Sequence, residues 1–460
     1  MRAHALRMDT AVDTQFVTQT LTTPIDLLDL HTARPEYYPF LLQSAAQGRY
    51  DFLFAFPGEA LVLHADGCLT GPYAHRSDGD FLRALDCWWR SLRFQGSSAE
   101  TPPFRGGWFL FLGYELAQQI EPILNLPNAP GFPIALAVRV RAAFIHDRHS
   151  HIVQRIAESE NADLLAGMKV DLACTSMDMS TNLLAGLLRE EEPGRYLDIV
   201  ARARRYIYDG DIFQANLSRL WQVELDPQAT AAQLYRRLRA ANPAPFAGLI
   251  RQGGHAIISS SPERLVRVRN RQVEVRPIAG TRPRGAEAIS DAALIRDLMA
   301  HPKERAEHVM LVDLERNDLG RICHNGSVRV NELMVVESYT HVHHIVSNIS
   351  GRLRPEVTPG EVIRAVFPGG TITGCPKVRC MQIIAELEDA PRGAYTGAMG
   401  YLNRDGNLDL NILIRTLVQH EQQLEFRAGA GIVADSIPEC ELEETRAKAR
   451  GLARALGGEA

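Results

Sequence analysis

The chain has 460 residues, 45% hydrophobic and 23% charged, with a formal net charge of −5, which suits a globular protein of roughly three domains. The acidic balance, with no Lys/Arg stripe interleaved with aromatics, excludes a nucleic-acid binder, and no apolar run reaches membrane-spanning length. Seven scattered cysteines without a CxxC pair, and a start (MRAHALRMDTAVDTQF) without an apolar signal core, predict reduced thiols and a cytoplasmic location. Residues 1–22 read as a flexible terminus, and residues 23–180 as an N-terminal region of mixed pattern. In it LLQSA reads as a short helix and YDFLFAF and ALVL as strands. FLRALDCWWRSLR is an amphipathic helix, and GGWFLFLGYEL is a buried strand whose Trp108, Phe109 and Phe111 belong to the core. ALAVRVRAAFIHDRHSHIVQRIA reads as a hairpin around Asp147. The pattern weakens after Glu158, and 181–194 is taken as a linker. Residues 195–456 then form the domain richest in signals: helices at YLDIVARARRYIY and ATAAQLYRRLRAAN, and a meander through AGLIR, HAIISSS, ERLVRV and QVEVRPI. MVVESYTHVHHIVSNISGRL reads as one strand. A hairpin follows at Asp405-Gly406, and the strand QLEFRAGAGIVA leads to a last helix. Antiparallel hairpins with helices gathered between them predict an α+β fold of large antiparallel sheets.

The segment from His301 to Asp318 carries the first chemical signal. Pro302 suits the first helical position, and Glu304 and Glu307, three apart, share a helix face. Glu441 and Glu444 repeat the spacing near the C-terminus. Spacing alone fits solvated helix faces, but two such pairs can also hold one hard divalent ion such as magnesium through oxygen ligands. FPGGTITGCPK is Gly-rich and precedes a helix, yet it fails the phosphate-loop pattern because Pro376 intervenes. His344 lies on a β-patterned run. Arg415 closes an apolar strand and needs an anionic partner, a carboxylate above all. Glu263 follows a strand at a loop, where catalytic groups often sit. Cys375 and Cys380 read as small buried hydrophobes.

GDIFQANLSR, SSSPERLV, RPIAGTRPRG, KERAEHVMLVDLERNDLGR, HVHHIVS, FPGGTITGCPKVRCM and AGAGIVADS occur in one order. Together they closely resemble the chorismate-utilising enzymes, the family of component I of aminodeoxychorismate synthase and of anthranilate synthase. Isochorismate and salicylate synthases are more distant. The resemblance implies the α/β sandwich of anthranilate synthase component I, with two intertwined parts. It implies Mg2+ held by Glu304, Glu307, Glu441 and Glu444. It puts Thr371, Tyr395, Arg415, Gly429, Gly431 and Lys448 around the substrate, chorismate. Glu263 matches the general acid and His344 the histidine beside the ring. Gln214 stands where relatives that use water carry a lysine base, so ammonia is the expected nucleophile, supplied by a separate glutamine amidotransferase subunit. Ala279 occupies the position of the lysine in the PIKGT segment of some aminodeoxychorismate synthases. ANLSR, NPAPF and FPGGTITG favour the aminodeoxychorismate branch, with anthranilate the alternative product. Gln43 departs from the LLES pattern of tryptophan-regulated relatives, which weighs against feedback inhibition. A non-catalytic sensor on this fold would not need all four glutamates and Glu263.

Overall fold

The computed structural model describes residues 10–12, 15–21, 25–46, 48–94, 102–128, 131–168, 183–285, 287–339 and 342–457. Among them two antiparallel sheets, of 13 and 11 strands, lie face to face. Aromatic rings fill the space between them. Phe40 of the larger sheet stacks on Phe109 of the smaller, ring centres 4.3 Å apart, and Phe52 meets Tyr401 at 5.2 Å. Each outer face is covered by helices. Leu27–Ala33, Ala231–Ala241 and Pro438–Leu456 pack their leucines against the larger sheet. Phe81–Leu92, Pro302–Gly320 and Pro359–Val366 pack their apolar residues, leucines in the first two and Val362, Ile363 and Val366 in the third, on the smaller. This is the α+β sandwich expected, and no helix among the described residues is long and apolar enough to cross a membrane.

Both sheets draw strands from both halves of the sequence, so the parts are intertwined. Phe40–Gln43 pairs with Tyr50–Ala55 on one side and with Phe246–Gln252 on the other. In the smaller sheet Gly107–Leu112 lies beside Ala398–Asn403.

Several sequence expectations change. Residues 1–22 are not all a loose terminus: Phe16–Leu21 pairs along Val153–Glu158, with Phe16 and Thr18 buried, and Thr10–Val12 adds an edge strand. Within the expected linker 181–194, Arg189 and Glu190 pair with Gln222 and Trp221, which stitches it to the sheet. LLQ is strand, not helix, because backbone partners flank it on both sides and its side chains enter two cores. The hairpin expected around Asp147 is present, Ala142–Asp147 pairing with Ile152–Glu158 in the larger sheet, but Ala135–Val140 before it belongs to the smaller, and the chain changes sheet at Arg141. The run from Met334 to Leu353 holds two strands, Arg329–Ser338 and Val342–Arg352, paired as a ladder.

Candidate active site

Two places where the chain passes from one sheet to the other run side by side. Pro262 and Glu263 lead from His255–Ser261 in the larger sheet to Arg264–Arg269 in the smaller. Ile412 to Arg415 make the return from Leu408–Asn411 to Thr416–His420. The Glu263 carbonyl accepts from Ile412 N–H at 3.0 Å, and the Arg415 carbonyl from Ser260 N–H at 3.1 Å. Glu263 and Arg415, far apart in sequence, are thereby fixed near one another. Arg415 adopts φ 51°, a left-handed conformation that a non-glycine residue holds only under constraint.

Glu263 is 4% exposed. Burial pushes its carboxyl up to about 8; the Thr371 hydroxyl and the Ile278 N–H work against the shift, Glu315 adds to it and Lys448 opposes it. An acid with this environment keeps a proton to give at neutral pH. His344 has the opposite setting: burial first, then Arg415, pushes its ring down to about 4, so it is neutral. Its Nδ1 lies 2.9 Å from Thr281 Oγ1 and 3.4 Å from the Gly280 carbonyl. A carbonyl only accepts, which puts the ring proton on Nδ1 and leaves Nε2, buried and without a partner, as a bare acceptor.

Arg415 Nη1 donates to Asn242 Oδ1 at 3.3 Å, and among the described residues no acid side chain is paired with it; burial lowers its pKa. The anionic partner expected from sequence is therefore not a side chain among the described residues, which leaves the guanidinium for an anion from outside. Gln214 is buried at the start of Gln214–Glu224, and its Oε1 has no hydrogen-bond partner. A Cβ on Gly431 would lie 2.4 Å from Gln214 Nε2, and one on Gly429 would lie 2.7 Å from the Tyr395 hydroxyl. These two glycines exist so that side chains can lie flat on the strand. Lys448 donates to the Gly429 carbonyl at 2.8 Å and pairs with Glu444 at 2.8 Å. Ala279 is buried on Ile278–Pro283, just before a bulge at which Gly280 takes φ 72°. That bulge admits Glu304, whose Oε2 would lie 2.8 Å from a Cβ on Gly280.

The glutamate pairs lie near the starts of two long helices, Pro302–Gly320 and Pro438–Leu456, each opened by a proline, with Glu304 and Glu441 in the first turn and Glu307 and Glu444 in the next. Helix N-termini favour negative charge. Glu304 pairs with Arg282 at 3.2 Å, as Glu444 pairs with Lys448, while Glu441 is buried and Glu307 half-buried. Among the described residues no three His, Cys, Asp or Glu side chains converge closely enough to hold an ion as they stand. Each helix carries an all-oxygen pair, with one member balanced by a cation, and that donor set suits a hard ion such as magnesium. Sequence reasoning missed Thr281, Asn242, Asn216 (beside the Tyr395 hydroxyl) and Glu315. Asn216 alone had a signal, two positions after Gln214 on the same strand face. A cavity of about 830 Å³ between the sheets, lined by Gln43, Arg264 and Tyr401 among others, contains none of the expected site residues.

A buried carboxyl with raised proton affinity, a neutral histidine and an arginine without an acid partner among the described residues make this the candidate site for a small anionic molecule. The chain belongs to the chorismate binding enzymes: that family's signature matches residues 39–454. It is similar to aminodeoxychorismate synthase component 1 of Bacillus subtilis, 39% identical over 92% of this chain and 93% of the relative. It is equally similar to anthranilate synthase component 1 of Thermus thermophilus, 38% identical over 95% and 96%. The crystal structure of anthranilate synthase component I from Streptococcus pneumoniae superposes with a TM-score of 0.77 at 33% identity, covering 89% of this chain and 93% of that one.

Proposed function

We propose that this protein aminates chorismate with ammonia at C4, giving 4-amino-4-deoxychorismate for 4-aminobenzoate and folate synthesis. The observation that carries the reading is Glu263, a buried carboxyl that holds a proton to about pH 8. The C4 hydroxyl of chorismate is a poor leaving group, and a placed acid that protonates it contributes roughly a hundred- to ten-thousand-fold. Arg415, with no acid side chain paired with it among the described residues, and Tyr395 grip the enolpyruvyl carboxylate, with the Gly429–Gly431 backbone and the Thr371 turn alongside. His344 Nε2, kept bare by the bonds at Nδ1, accepts a hydrogen bond beside the ring. Gln214 is neutral and cannot deprotonate water, whereas ammonia needs no base; its buried Oε1 is an acceptor for an N–H donor. Glu304, Glu307, Glu441 and Glu444 would hold magnesium, which when bound supplies charge to neutralise the ring carboxylate. Ala279 offers no amine, so the ring is attacked without prior capture by the chain. The departure of Gln43 from the LLES pattern weighs against tryptophan feedback; its amide oxygen accepts from Arg239 at 3.0 Å.

The runner-up is anthranilate formation, favoured by the relatives of that name and by Ala279. For the preferred reading, ammonia comes from a glutamine amidotransferase subunit in the cytoplasm. The chain alone with chorismate and magnesium should turn over with ammonium salts and not with glutamine, and glutamine should serve once the partner is added. Glutamine use by the isolated chain would refute the two-subunit arrangement, and no turnover with ammonium would refute the amination.

A further inference from the structure

Glu304, Glu307, Leu311, Glu315 and Asp318 succeed one another at three- and four-residue steps, so one stripe of the Pro302–Gly320 helix carries them all. The first two form one of the carboxylate pairs. Glu315, two turns further on, is 6% exposed and has no part in the chemistry above. A buried carboxylate among leucines is costly unless something uses it.

Its contacts point at the acid. Glu315 Oε1 accepts from Gly370 N–H at 3.3 Å. Gly370 opens the short turn Gly370–Ile372, whose middle residue, Thr371, has a buried hydroxyl with no hydrogen-bond partner among the described residues, near enough to the Glu263 carboxyl to oppose its upward shift. The turn is seated tightly: a Cβ on Gly370 would meet Leu314 Cδ2 at 2.6 Å and Glu315 Oε1 at 3.1 Å, and one on Gly369 would meet Ile412 Cδ1 at 2.8 Å. Asp318, also buried, is already neutralised by Lys377 Nζ at 2.5 Å. Lys377 also donates to the Val366 carbonyl at 3.3 Å. The lysine is thus shared, and Glu315 has the backbone N–H of Gly370 as its own donor.

We propose that Glu315 is a positioning residue for Glu263: it fastens the Thr371 turn from behind and places a second negative charge within reach of the acid. This rests on the reading of Glu263 given above. The charged groups that bear on Glu263 are Glu315 from this helix and Lys448 from the last one, of opposite effect. Those that bear on Glu315 are Lys377, which favours its ionised form, and Asp318, which disfavours it. Burial, the larger influence, pushes the Glu315 carboxyl up to about 7. Above that pH its charge opposes ionisation of Glu263 and keeps the proton available where the enzyme works.

Glu315→Gln keeps an oxygen for Gly370 N–H and removes the charge, so it separates fastening from field. The Glu263 carboxyl is followed by infrared difference spectra, each chain against the same chain carrying Glu263→Gln. In Glu315→Gln its protonated band should vanish at lower pH than in the unaltered chain, by on the order of half a unit. At constant free ammonia the alkaline limb of kcat should move the same way, with KM for chorismate unchanged. Glu315→Ala, which also frees the turn, should in addition raise KM; if it does not fold, Glu315→Gln decides alone. An unshifted Glu263 band in Glu315→Gln overturns the proposal. A shifted band with an unmoved kcat limb upholds the coupling and removes Glu263 from the acid role.

Discussion

Glu263 keeps its proton at a cost to the fold. Between about 4.5, where an exposed glutamate titrates, and about 8 the unfolded chain has released a proton that the folded chain retains. Stability from this group is therefore complete below that window and falls as the pH rises through it. Glu263→Gln, which cannot ionise, should be more stable than the unaltered chain at pH 8 by roughly 1–3 kcal/mol and no more stable at pH 4. Its turnover should fall on the order of a hundred-fold or more. Urea unfolding at the two pH values, with a chorismate turnover assay, checks both. A variant that is inactive yet gains nothing at pH 8 would mean that the carboxyl is ionised in the folded chain. The identity of this acid was legible in SSSPER only as a Glu at a loop. What sets its proton affinity lies in Thr371, Ile278, Glu315 and Lys448, scattered over the chain, and sequence adjacency contains none of it.

At the scale of elements, Gln423–Ile432 shows how one strand serves both packing and site. A methyl at Gly429 would meet the Leu217 carbonyl across the ladder at 2.7 Å as well as the Tyr395 hydroxyl. Backbone there cannot retreat, so Gly429→Ala should lower stability by about 1–3 kcal/mol. At Gly431 the atom met is the far end of the Gln214 side chain, which can swing away. Gly431→Ala should therefore melt near the unaltered temperature and lose ammonia-dependent turnover. If Gly431→Ala kept full activity, the place given to Gln214 would be wrong. The sequence placed AGAGIVA in a strand without a reason for its glycines; they are needed for close approach within that strand, which only the register with Gln214–Glu224 discloses. The glutamate pairs were legible because their spacing and the prolines before them are local. The short run LLQ was not, since so few apolar residues suit helix and strand alike. Phe16–Leu21 finds its partner more than a hundred residues later, beyond any local pattern.

The whole molecule is built so that the two crossings between sheets, at Glu263 and at Arg415, run side by side, with two long helices contributing Glu315 and Lys448 to the surroundings of Glu263. None of the four would be in place if the halves of the chain folded as separate units, because each sheet needs strands from both. The layered α+β architecture was legible from the hairpins, whereas the division at 181–194 marks a change of pattern and not a seam between bodies. What the site does with this arrangement comes down to which ring carbon receives nitrogen. Amination at C4 leaves the enolpyruvyl chain in place; amination at C2 allows elimination across C2 and C3, which aromatises the ring and expels pyruvate. The direct measurement is pyruvate released from chorismate by this chain with magnesium and ammonium and no added lyase. The expected result is chorismate consumption with little pyruvate, and 4-aminobenzoate only after a lyase is supplied. Pyruvate in step with chorismate loss, together with fluorescent anthranilate, would contradict it.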